Sequence, residues 1–242
     1  LHVSLTEFML LALVAAAGGA VQGSIGFGQN LVLVPVVAIV VPEAVPGALV
    51  LLGIPLTATM ALRERRGIDR PGLGWIVLGR VPGTVVGVVI VALVSGNLLA
   101  TLAGSAVLAG VLLSLLAGHV PVNRETATTA GATAGVLGTT AAIDGPPLAL
   151  LYQRHPGATI RATLACAFLV GAAMSFVALV AAGQVHGWQL LLALALAPAL
   201  LAGLACSTLV TRWVGERSLR PAVLSLVTIA GVAAIVRGLV SS

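Results

Sequence analysis

The chain has 242 residues, of which 59% are hydrophobic and 8% are charged, with a net charge of +5. A soluble domain carries about 25% charged residues, and so sparse a supply would leave apolar patches far beyond the few hundred Å² that soluble monomers tolerate. The composition therefore excludes a soluble fold, and its twelve basic residues, all Arg, sit mostly in short gaps between apolar runs, as topology signals do and a nucleic-acid-binding face does not.

In chain order, the apolar runs cover Leu5–Gln22, Gln29–Val41, Ala44–Leu62, Gly72–Val94 and Leu98–Ala117, then Glu125–Ile143, Pro146–Tyr152, Thr159–Ala182, Trp188–Thr211 and Leu219–Arg237. They are continuous, whereas a membrane barrel needs strands of about ten alternating residues, so the runs predict helices. The first lacks a basic start and reads as a structural helix rather than a signal peptide. A spanning helix needs about 20 residues. The second and seventh runs are too short, and each follows a long run across a Gly-rich break.

The two halves repeat each other. GAVQGSIGFGQNLVLVP, from Gly19 to Pro35, aligns with GATAGVLGTTAAIDGPP, from Gly131 to Pro147. Gly19, Gly23, Gly26 and Pro35 match Gly131, Gly135, Gly138 and Pro147 at one constant offset. With small drifts, Pro42 then aligns with Pro156, Met60 with Met174, Pro82 with Pro198 and Gly87 with Gly203.

The charges alternate between the copies. Arg63, Arg65, Arg66 and Arg70 crowd one gap, which the positive-inside rule makes cytoplasmic, whereas the equivalent gap Gly183–Gly187 has no Arg. Ser95–Asn97 is uncharged, and its counterpart holds Arg212, Arg217 and Arg220. The gap at Pro42 and Glu43 has no Arg, and its counterpart holds Arg154 and Arg161. Counting crossings from the Arg63–Arg70 gap puts His119–Arg124 and Arg154–Arg161 inside as well. Glu125–Tyr152 then starts and ends on one side, and by symmetry so does Leu5–Val41. The expected architecture is an all-α, polytopic membrane protein of two inverted-topology repeats, 1–117 and 118–242. Each is a broken or re-entrant helical hairpin plus three transmembrane helices, and both termini are extracytoplasmic. Inverted repeats are common in secondary transporters, whose substrate sits near the midplane where broken helices meet.

The segments Gly23–Pro35 (GSIGFGQNLVLVP) and Gly138–Leu151 (GTTAAIDGPPLALL) resemble the paired signatures of the sulfite exporter TauE/SafE family of membrane transporters. Many members read G-x-G-F-G-x-x-L-x-x-V-P in the first half. In the second they read G-x-x-G-x-G-G-P-P-L-x-L-Y, then a short polar loop and an Arg, here Arg161. The resemblance covers nearly the whole chain. The chain departs from the pattern at Gln29 and Asn30, where many members are apolar or glycine, and at Ile143-Asp144, where a Gly-Gly pair is frequent. The resemblance implies export of sulfite, or of small sulfonates and related sulfur oxyanions, from the cell (inner or plasma) membrane.

The breaks suit anions on physical grounds too. A helix N-terminus carries unpaired N–H groups and about half a positive charge, which makes an anion site without a charged side chain. The candidate substrate-binding groups are Ser24, Gly26, Phe27, Gly28, Gln29 and Asn30 at the first break, and Gly138, Thr139, Thr140, Gly145 and Pro146 at the second. The hydroxyls and amides can donate to sulfur-bound oxygens; equally, they can cap helices or bond to neighbouring ones. Asp144, an acid inside a membrane segment, is a candidate proton carrier, with a helix N-cap as its structural role. Arg80 can attract the anion, pair with Asp144, or snorkel to the cytoplasmic surface. Arg161 can steer anions into an inward-open mouth or serve as an orientation signal. Cys166 and Cys206 read as small core residues. His119, His155 and His186 lack metal-site spacing, and Trp75, Trp188 and Trp213 suit interfacial anchoring.

No cofactor, metal or nucleic acid is called for. The expected partners are a small anion and the bilayer, with a second copy of the chain as a further candidate. A small-anion channel, or a transporter of another small anion, is the alternative function. A membrane enzyme would need a nucleophile or cluster that the sequence does not offer.

Overall fold

The computed structural model describes residues 3–94 and 120–214, and besides them Ser105, Leu108, Leu112 and Val232. Apart from these single positions, the predicted runs Leu98–Ala117 and Leu219–Arg237 lie outside the described residues, as do Ser95–Asn97, His119, Arg217, Arg220 and the side chains of Arg212 and Trp213. The described residues form helices and short connections, with no strand among them. Five of the helices are long and apolar enough to cross a membrane, which makes this a multi-pass membrane protein.

Helix α1 (Leu5–Ile25) opens with a capping box, in which Ser4 accepts from the Glu7 N–H while the Glu7 carboxylate accepts from the Ser4 N–H. It runs through Gly23 and stops at Gly26, whose φ of 92° lies in the left-handed region that glycine enters cheaply. Gly28, at φ 111°, then caps α2 (Gln29–Val40). Two left-handed glycines around Phe27 thus make the first break. After a 3₁₀ turn at Pro42–Ala44 comes α3 (Gly47–Glu64), which runs on into a second turn at Arg65–Gly67. Helix α4 (Arg70–Leu93) is capped by Asp69, whose side chain accepts from the Gly72 N–H.

In the second half, Asn123 caps α5 (Arg124–Ala141). This helix continues through Gly138 and ends at Ala142, a non-glycine residue with φ 57°. That conformation costs a residue with a Cβ about 1–2 kcal/mol. Three residues later α6 (Gly145–Tyr152) begins, followed by α7 (Gly157–Ala181) and α8 (Gly187–Val214). The twelve residues of α2 and the eight of α6 span about 18 and 12 Å at 1.5 Å per residue, well short of the ~30 Å hydrocarbon core.

Helix pairs close on small residues. Along the α4–α5 contact, a Cβ on Gly79 would fall on the Thr128 carbonyl, one on Gly83 on the Ala132 carbonyl and one on Gly131 on the Ile76 carbonyl. Along the α1–α8 contact, a Cβ on Gly19 would fall on the Leu200 carbonyl and one on Gly203 on the Ala16 carbonyl. Backbones this close gain dispersion contacts that lipid cannot supply. Buried apolar residues fall into two clusters, one drawn mostly from α1, α2, α3 and α8 and the other from α4 to α7, and Phe27 packs against both. Cys206, expected in the core, instead lies exposed on the outer face of α8, and Cys166 is half-buried.

Candidate functional site

The two chain breaks touch. Asn30 Nδ2 donates to the Ala142 carbonyl at 2.7 Å, and a Cβ on Gly145 would lie 3.4 Å from the Phe27 ring. Beside this junction is a cavity of about 40 Å³ whose walls come from both breaks and from α3, α4 and α7. A cavity that holds one water needs at least about 10–15 Å³, so this one has room for several. Arg80, Gly53 and Phe168 on the wall belong to the middle parts of α4, α3 and α7, so the cavity sits about halfway along three spanning helices.

The wall carries a buried ion pair. Arg80 is 1% exposed, and its Nη2 donates to Asp144 Oδ2 at 2.7 Å. Its Nε and Nη1 are buried without a partner. This pairing is one of the three fates open to Arg80 in the sequence; snorkelling is not what the side chain does. The guanidinium is wedged between glycines. A Cβ on Gly171 would fall on its Cζ and Nε, and one on Gly138 would lie 2.7 Å from Nη2. Asp144 stands at the N-cap position of α6 but makes no side-chain capping bond there, because its carboxylate is turned to Arg80.

The helix ends contribute less than the dipole picture suggests. At α2, the Gln29 N–H donates to Gln22 Oε1 at 3.1 Å, and Gln29 Nε2 donates to Asn30 Oδ1 at 3.0 Å. At α6, Pro146 and Pro147 have no N–H, so only Gly145 and Leu148 remain as donors in the first four positions.

The structure therefore brings Gly28, Gln29, Asn30, Gly138, Gly145, Arg80 and Asp144 to one cavity. Gly26 and Phe27 form the turn beside it. The remaining predicted residues are engaged elsewhere. Ser24 Oγ donates to the Ala20 carbonyl at 2.8 Å and contacts the Ser207 carbonyl at 3.2 Å. Thr139 Oγ1 bonds to Ser175 Oγ at 2.8 Å, and Thr140 Oγ1 donates to the Val136 carbonyl at 2.8 Å. Pro146 is buried in the first turn of α6. Arg161 pairs with Glu64 at 3.2 Å and packs beneath Gly26.

Nine of the described wall residues escaped sequence reasoning, among them Gln22, Gly53, Thr57 and Phe168. Gln22, a polar residue inside an apolar run, carried a usable signal. Gly53 and Phe168 did not. Among the described residues, no group of three or more His, Cys, Asp or Glu could hold a metal ion.

A family model described as Sulfite exporter TauE/SafE matches residues 11–234. No curated protein and no solved structure matches the chain.

Proposed function

Because the chain belongs to the sulfite exporter TauE/SafE family of membrane transporters, we propose that it is a secondary transporter that exports a small sulfur-containing anion, sulfite or a small organosulfonate, by alternating access. The observation that carries this reading is the buried Arg80 guanidinium on the wall of the central cavity, with Nε and Nη1 unpartnered. A buried cation with free N–H groups is costly unless something negative completes it. An oxyanion of three or four oxygens matches planar N–H donors in charge and shape. The volume of about 40 Å³ favours an anion built on a single central atom over a long sulfonate.

Asp144 supplies the coupling. Its carboxylate already neutralises Arg80, so an arriving anion competes with it. A proton on Asp144 removes the competitor and lets the anion take its place. Anion and proton would then cross together, and both would leave when Asp144 returns to Arg80; doubly charged sulfite with one proton still carries one net negative charge outward, so an inside-negative membrane potential drives the export.

Two inverted repeats, 1–117 and 118–242, are the scaffold of this reading. Its support is that Gly79 lies over Thr128 in α5 as Gly203 lies over Ala16 in α1. Thr128 and Ala16 stand three residues before Gly131 and Gly19, which the sequence aligns. This contact pairs Gly203 with Gly79 rather than with Gly87, a slip of two helical turns from the sequence alignment. The cytoplasmic side is the one bearing Arg63, Arg65 and Arg66.

The test is flux in proteoliposomes that contain only this protein. Sulfite uptake should saturate, and a proton gradient should drive it uphill. A flux that rises linearly with concentration and never runs uphill would assign a channel instead.

A further inference from the structure

We propose that Gly53 sets the size of anion that the central cavity accepts; the inference rests on reading that cavity as the anion site. Most helical glycines here have a packing reason. A Cβ on Gly79, Gly83, Gly131 or Gly203 would collide with the backbone carbonyl of a neighbouring helix. Gly53 is buried in the middle of α3 and has no such neighbour. A Cβ there would meet nothing nearer than the Gln29 amide, with Nε2 and Oε1 each 4.0 Å away. Gly53 lines the cavity, and so does Gln29 on the facing wall.

A glycine inside a helix is disfavoured against alanine by about 1 kcal/mol. No close helix contact accounts for it at this position. The backbone conformation does not account for it either, because α3 stays helical through Gly53 and Thr57 Oγ1 donates to its carbonyl at 2.8 Å. What the missing side chain leaves is open space between α3 and Gln29. A methyl group is about as large as a water molecule, so an alanine would take a substantial part of a cavity with room for only a few waters. The gap over Gly53 is thus the adjustable dimension of the site. Arg80 supplies the charge, and Gly53 decides how large a partner the charge can take.

The test compares wild type, Gly53→Ala and the control Gly74→Ala, whose Cβ meets nothing within 4 Å and which is exposed on α4. Binding of sulfite, thiosulfate and methanesulfonate to the purified full chain in detergent is measured by calorimetry, and the melting temperature is recorded. Gly53→Ala should fold as wild type does and bind sulfite about tenfold more weakly, the scale of overpacking one methyl group. The loss should grow with anion size, and Gly74→Ala should change nothing.

Equal affinities of wild type and Gly53→Ala for all three anions would overturn the proposal. If wild type binds none of the three, the anion-site reading itself falls and takes this inference with it. Binding by wild type with no effect of the alanine would sink the role of Gly53 alone.

Discussion

Replacing Asp144 with Asn tests the centre of the mechanism, because it removes the charge and keeps the shape. Arg80 is 1% exposed and Asp144 is 18% exposed. Removing one partner of a buried ion pair costs about 3–5 kcal/mol, most of it the penalty of an uncompensated buried charge. The partial exposure of Asp144 moves the expected loss to the lower end, about 3 kcal/mol. At 2–4 °C per kcal/mol for a chain of this size, the variant should melt roughly 6–12 °C below wild type without an anion. Sulfite should reverse much of this. A ligand at 100 times its Kd stabilises by about 2.7 kcal/mol, and in the variant it meets a guanidinium with no competing carboxylate. The assay is a thermal-shift titration of purified wild type and Asp144→Asn with sulfite at one fixed pH. At any subsaturating concentration, the variant should gain more stability than wild type. If the anion-free proteins melt together, or sulfite stabilises Asp144→Asn no more than wild type, then Arg80 is not the group that binds the anion.

Other perturbations follow from the same geometry. Gly171→Ala puts a methyl group where Arg80 Cζ and Nε now lie, so the guanidinium must leave Asp144; sulfite binding should fall at least about tenfold, and unchanged calorimetric affinity would refute the wedge. Asn30→Ala removes the 2.7 Å bond to the Ala142 carbonyl and should cost about 1–3 kcal/mol of stability by leaving that acceptor unpaired. It should also weaken anion binding, and a loss of melting temperature with intact affinity would make Asn30 a strut between the breaks and no more. Arg65→Cys should react with a membrane-impermeant maleimide in inverted vesicles and not in intact cells; labelling from outside the cell would overturn the proposed orientation.

The first break was legible because its chemistry is local. Gly26 and Gly28 adopt φ values of 92° and 111°, which few other residues reach at low cost, so their spacing marks the turn directly. The second break is less so. Its left-handed residue is Ala142, and nothing in an alanine announces that conformation. Gly23 and Gly138 look like break residues but lie inside helices, where small size serves a neighbour: Ser207 beside Gly23, Arg80 beside Gly138. The hydroxyls show the limit most clearly. Thr139 lies next to Gly138 on the wall, yet helical phase turns it to Ser175. One residue is about 100° of rotation, so proximity along the chain does not set direction. The Arg80–Asp144 pair joins positions on different helices. The sequence could name both residues, but their meeting depends on how α4 seats its glycines against α5, which no local pattern encodes.

The pairing also bears on why a carrier would hold a central cation against an acid. An unpaired buried Arg80 would bind an anion tightly, and a transporter that binds tightly does not release; conduction requires sites favourable enough to enter and weak enough to leave. On the proposed mechanism Asp144 makes binding an exchange of one negative group for another, so the free energy of binding is a difference between two similar attractions. The empty site also avoids carrying a bare charge through the centre of the bilayer, where a lone Arg costs at least about 2.5–3.5 kcal/mol. On the proposed mechanism the same carboxylate lowers the affinity, neutralises the returning carrier and takes the proton. One acid placed at the start of α6, with its capping role given up to Arg80, can meet all three demands, and that is why its removal should disturb stability, affinity and coupling together.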